Sequence, residues 1–102
     1  MLGRRRFDDL LHRQLDLFEA DEEPLLREAE EADAAWTHAS REEAEELYGD
    51  YQLAIEAATD RLQELRDTFA RSLEEDDADE YAAAFNAAVV ARWRELALTI
   101  DD

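Results

Sequence analysis

Between Leu25 and Leu73 apolar side chains return every three or four residues, and little that breaks a helix interrupts them. Leu25, Ala29, Ala32, Trp36, Ala39 or Ser40, Leu47, Tyr51, Ala54, Ala58, Leu62, Leu65, Phe69 and Leu73 fall on one stripe of an α-helix, because that spacing matches its 3.6-residue period. Unbroken, a helix of about 50 residues would be roughly 75 Å long. Two features predict a break or kink within it. Ser40-Arg41-Glu42-Glu43 has the serine and, three residues on, the glutamate of a capping box. Gly49 then weakens the helix locally. Helices near 24–38 and 41–74 are expected, with a continuous rod as the alternative.

The flanking segments are also helical in pattern. Phe7, Leu11, Leu15 and Phe18 predict a first helix from about Arg5 to Ala20. Asp21-Glu22-Glu23-Pro24 ends it and starts the next, with acids and proline in the first turn. Glu74-Glu75-Asp76-Asp77 reads as a loop, since four acids suit a helix C-terminus poorly. Asp77-Ala78-Asp79-Glu80 reads as a second capping box that opens a last helix to about Leu98. The buried face of that helix is Ala82, Phe85, Val89, Trp93 and Leu96, with Tyr81 at the rim.

Two glycines, one proline, scarce β-branched residues and abundant alanine, leucine, glutamate and arginine agree with this pattern. The expected fold is all-α: one domain over residues 1–102, an antiparallel helical bundle of about four helices around a long central helix. Trp36, Leu47, Tyr51, Phe69, Phe85 and Trp93 should form its seam. The first and last helices each cover only part of the central stripe, so a second copy should cover the rest, in a two-fold homodimer.

Charge narrows the function. The chain carries 29 carboxylates, 11 arginines and no lysine, a formal net charge of −18. Such a surface repels nucleic acid and anionic lipid, which need a cationic patch. Arg4, Arg5 and Arg6 are too few to supply one, and Asp8, Asp9, His12 and Arg13 interrupt the apolar run a signal peptide needs. No stretch is apolar enough to span a membrane. Without cysteine there is neither a disulfide nor a thiolate metal site. A cytoplasmic protein is expected, its arginine-for-lysine bias reflecting either a GC-rich genome or a salt-adapted host.

The sharpest motif is Glu42-Glu43-x-x-Glu46, followed by Glu64-x-x-Asp67. It resembles the E-E-x-x-E … E-x-x-D signature of MazG-type nucleotide pyrophosphohydrolases, all-α proteins whose carboxylates hold Mg²⁺ against a nucleoside triphosphate. The resemblance covers residues 42–67 and implies that Glu42, Glu43, Glu46, Glu64 and Asp67 are metal residues. Hard cations such as Mg²⁺ do take oxygen ligands. Glu43 also falls on the apolar stripe, where a carboxylate must be paired, metal-bound or protonated. Arg13 and Arg92 are the expected partners. Asp9-x-x-His12 and His38 lack the paired Glu-x-x-His motifs of a di-iron bundle.

The aromatics Trp36, Tyr48, Tyr51, Tyr81, Phe85 and Trp93 have core spacing. Tyr48 and Tyr51 cannot both be central, so one belongs to an interface, where tyrosine is enriched. Residues 21–50 hold twelve carboxylates against two arginines. The expected binding face is Glu28, Glu30, Glu31, Asp33 and Glu45 with Tyr48, directed at a cationic protein surface. The sequence therefore favours a non-enzymatic acidic interaction or assembly module that needs no cofactor. Two alternatives stand beside it: the Mg²⁺-dependent pyrophosphohydrolase, and a mimic of DNA that inhibits a DNA-binding protein.

Overall fold

The computed structural model describes residues 6–96, and all its regular structure is helical: α1 (Asp8–Asp21), α2 (Glu23–Thr37), α3 (Ala44–Ala70), α4 (Glu75–Arg92) and a closing 3₁₀ turn (Arg94–Leu96). The expected start of the first helix at Arg5 and the end of the last at Leu98 lie outside the described residues. Among the described residues no helix is long and apolar enough to cross a membrane.

The apolar stripe is neither a rod nor a kinked rod. It is cut in two by residues 38–43 and folded back on itself. Backbone bonds from Glu43 N–H (3.1 Å) and Ala44 N–H (2.9 Å) to Ser40 C=O set up the turn that enters α3. The predicted capping box forms in a local variant. Glu43 N–H donates to Ser40 Oγ at 3.3 Å, and the Ser40 hydroxyl donates to the Glu43 carboxylate at 3.0 Å. Glu43 is therefore exposed and held by its own turn, not buried against Arg13 or Arg92. A six-residue link leaves α2 and α3 antiparallel and in their most extensive contact. Gly49 interrupts nothing, because α3 runs through it.

Only Glu22 separates α1 from α2. Pro24 has no N–H to bond backward and its ring crowds the preceding turn, so the first helix stops there and the second restarts. Joined there, α1 and α2 lie end to end along α3. The Glu22–Arg61 ion pair (2.7 Å) sits midway, and Trp36 meets Tyr48 and Tyr51 at the far end.

Helix α4 packs beside α1 and α3 over half of this length only. It runs parallel to α1, with Arg6 on Asp77 (2.9 Å) at one end and Arg92 on Asp16 (3.0 Å) at the other. It runs antiparallel to α3, with Phe69 against Tyr81 and Arg66 bonded to Asn86 (2.9 Å). Its start corrects the sequence reading. Glu75, Asp76 and Asp77 form its first turn, where the positive end of the helix dipole favours acids, and the loop shrinks to residues 71–74. Asp77 and Glu80 make no cap; both accept hydrogen bonds from Arg6. The helix stops at Arg92 because Trp93 turns extended, short of the expected end.

The molecule is therefore a three-helix bundle that narrows to a two-helix hairpin, 50 Å long and 24 Å across. The core gathers in the bundle: Phe7, Leu11, Leu15 and Phe18 of the first arm meet Leu62, Tyr81, Phe85, Val89 and Leu96. Tyr81, expected at the rim, has no solvent exposure, and its hydroxyl donates to Gln14 Oε1 at 2.7 Å. Trp36, expected in the seam, is 38% exposed, because nothing from α4 reaches that far along the hairpin.

Candidate partner-binding surface

Charge is distributed unevenly over this shape. Between residues 28 and 60 there are eleven carboxylates and a single arginine, Arg41. Among the described residues every ion pair lies outside that stretch. Arg6, Arg61, Arg66 and Arg92 tie acids of the bundle and the joint, and Arg27 holds Glu23 one helical turn back. The hairpin tip thus keeps its negative charge uncompensated, while part of the bundle's negative charge is paired with arginine.

The predicted binding residues Glu28, Glu30, Glu31, Asp33, Glu45 and Tyr48 are all exposed. They do not form one face. Positions 28 and 30 are about 200° apart around a helix, so Glu28 and Glu31 line one flank of α2, and Glu30 and Asp33 the other. On the first flank, Glu28 and Asp50 border a shallow groove over Ala32, Leu53 and Ala57. Leu53 stands 67% exposed there.

The second flank is richer, and the sequence reading missed its main contributor. Glu95, in the 3₁₀ turn after α4, comes to the same surface as Glu30 and Asp33. The negative charges of Asp33 and Glu95 both bear on the Tyr51 phenol. Partial burial, then those two charges and Tyr48, hold its pKa above the usual tyrosine value. Below it, a cleft of about 230 Å³ opens between α2, α3 and the 3₁₀ turn. Buried Ala29, Ile55, Ala58 and Leu96 form its floor, Leu26 and Trp93 line its walls, and exposed Glu30 and Glu95 stand at its mouth. Periodicity places Trp93 and Leu96 on a buried face; nothing local to Glu95 ties it to Glu30, 65 positions earlier.

At the end of the hairpin Trp36, Tyr48 and Tyr51 form an aromatic group. The Trp36 and Tyr51 rings are parallel at 6.0 Å, and Tyr48 leans on Trp36 at 5.0 Å. The six aromatics read together in the sequence thus separate. Tyr81 and Phe85 join Phe7 and Phe69 in the bundle, Trp93 packs edge-on to Phe18, and the other three remain at the tip.

The carboxylates of the pyrophosphohydrolase-like motif do not come together. Glu42 and Glu43 lie in the turn before α3 and Glu46 in its first helical turn, whereas Glu64 and Asp67 are near its other end. Eighteen residues of one helix put Glu46 about 27 Å from Glu64 along the axis. All five are exposed, and Asp67 is bonded to Arg66 Nε at 2.8 Å. Among the described residues no three acids or histidines are grouped to hold a metal ion, so these side chains do not fit a shared Mg²⁺. Comparison with known protein families, with curated proteins and with solved structures finds no match for the chain.

Proposed function

We propose that the chain is a non-enzymatic interaction module whose hairpin tip captures a cationic surface of a partner protein. One observation carries the reading: the two-helix end sets eleven carboxylates against one arginine, with no ion pair among its described residues, beside three partly exposed aromatic rings. Uncompensated charge steers an oppositely charged partner and makes its capture depend on salt. Tryptophan and tyrosine supply rigid contact area, and their ring faces attract cations.

The test uses hexa-arginine as the probe. Reversing Glu31, Asp33 and Glu45 to lysine should abolish binding at low salt, with the melting temperature unchanged or higher. The same reversal at Asp9, Glu64 and Asp79, in the bundle half, should leave most of it. Equal loss in both variants would sink the assignment to the tip. Capture of a DNA-binding protein that added DNA competes away would turn the reading towards DNA mimicry.

Self-association belongs to the same proposal and fits the flank between α1 and α4 better than the tip. Two tips of like charge repel, whereas this flank carries Asp8 and Glu80 at one end and His12 and Arg92 farther along. Between them, Ala84, Ala87, Ala88 and Ala91 allow another helix to approach closely.

A further inference from the structure

Resting on the reading of the tip as a cation-binding surface, we infer that the cleft below Tyr51 is an anchor subsite for one long cationic side chain, arginine or lysine, of the partner. The cleft has the two parts such a side chain needs. Its floor is apolar, made by Ile55, Ala58 and Leu96, and suits a run of methylenes. Its mouth carries Glu30 and Glu95, which come from elements far apart in the chain and make no ion pair with any described residue. Trp93 adds an aromatic wall.

Size and charge choose among ligands. At about 230 Å³ the cleft is smaller than the roughly 300–1,000 Å³ of pockets that enclose whole small-molecule ligands, so it takes a side chain and not a cofactor. Two carboxylates at the mouth exclude an anion and leave a neutral apolar side chain with nothing to offset their desolvation. A cation with an alkyl stem satisfies both parts. The subsite also gives the tip a polarity. Glu95 faces both the cleft and the Tyr51 phenol, so a chain anchored there continues over Tyr51 towards Trp36, where a second cation meets ring faces.

The experiment titrates fluorescein-labelled hexa-arginine into the protein at low salt and compares two variants that each remove two charges. Glu30→Gln with Glu95→Gln alters the mouth of the cleft; Glu42→Gln with Glu46→Gln removes the same charge elsewhere on the hairpin. Both pairs are exposed, and circular dichroism confirms that both variants fold. The cleft variant should lose at least about tenfold in affinity, as close charge pairs at an interface give. The other should lose about twofold, the effect of exposed charges. In a Trp36→Phe background, binding should also change the emission of Trp93. Equal loss in the two variants, or binding with unchanged Trp93 emission, overturns the subsite while leaving the cationic surface standing. Failure of the unmodified protein to bind hexa-arginine at all overturns both.

Discussion

A phenol sealed at the centre of the three-helix half has to keep its proton for that half to stay closed. Tyr81 has no solvent exposure, touches Phe7, Phe69 and Phe85, and spends its one donor on Gln14. Burial holds its pKa above the ordinary value of 10.0, against smaller opposing effects from Gln14 and Arg66. Folding therefore favours the neutral form. The resulting stability is present below about pH 10 and is lost as pH rises, because the unfolded chain releases the proton first. Ultraviolet titration should show Tyr81 ionising above the ordinary tyrosine range, with unfolding accompanying it. Tyr81→Phe should remove that alkaline limit at a cost of about 1 kcal/mol near neutrality, the net worth of one hydrogen bond. Periodicity set Tyr81 at the rim because a hydroxyl reads as polar; its acceptor, 67 residues away, carries no local signal. Trp36 shows the opposite error. Its spacing is that of a core residue, but a stripe is buried only where something lies over it.

At the level of elements, most of the fold was legible. All four helices, the proline-led start of α2 and the Ser40–Glu43 box follow from spacing and capping chemistry. What stayed hidden was whether the long stripe folds back, since a hairpin and a rod have the same period. The acids at 74–77 were read for the helix they would end and not for the one they begin. Gly49 was given weight as a breaker that it does not have. In the interior of α3 it has no positive φ, and a Cβ added there meets nothing within 4 Å. Gly49→Ala should therefore stabilise the protein by about 0.5–1 kcal/mol. The urea midpoint should rise at constant slope, and hexa-arginine binding should not change. A destabilised variant would show that the helix needs its glycine.

For the molecule as a whole, the two ends differ in shape and in charge density. The binding surface was only partly readable, because the acids were visible in the sequence but their division into two flanks and the arrival of Glu95 depend on packing. The bundle end, with some of its acids paired to arginine, is less densely negative than the tip, and on the proposal above the alanine seam of α4 meets another copy. Light scattering is expected to give a dimer mass, and Ala87→Glu, which sets a charge in that seam, should give a monomer that still binds hexa-arginine. An unchanged mass on this substitution would move the contact elsewhere; a monomer mass for the unmodified chain at every concentration would remove it.

The short joint at Glu22 has a consequence for how such a molecule can vary in length. Because α1 and α2 lie end to end against α3 from that point, the hairpin beyond it behaves as a ruler. Two helical turns added to each of its limbs would carry the aromatic end about 10 Å outward and leave every contact of the bundle in register. A single residue inserted at the joint would instead rotate α2 by about 100° and turn Ala29 out of the interior. Reach is the dimension in which this architecture can change freely, and the joint is the graduation from which that reach is measured.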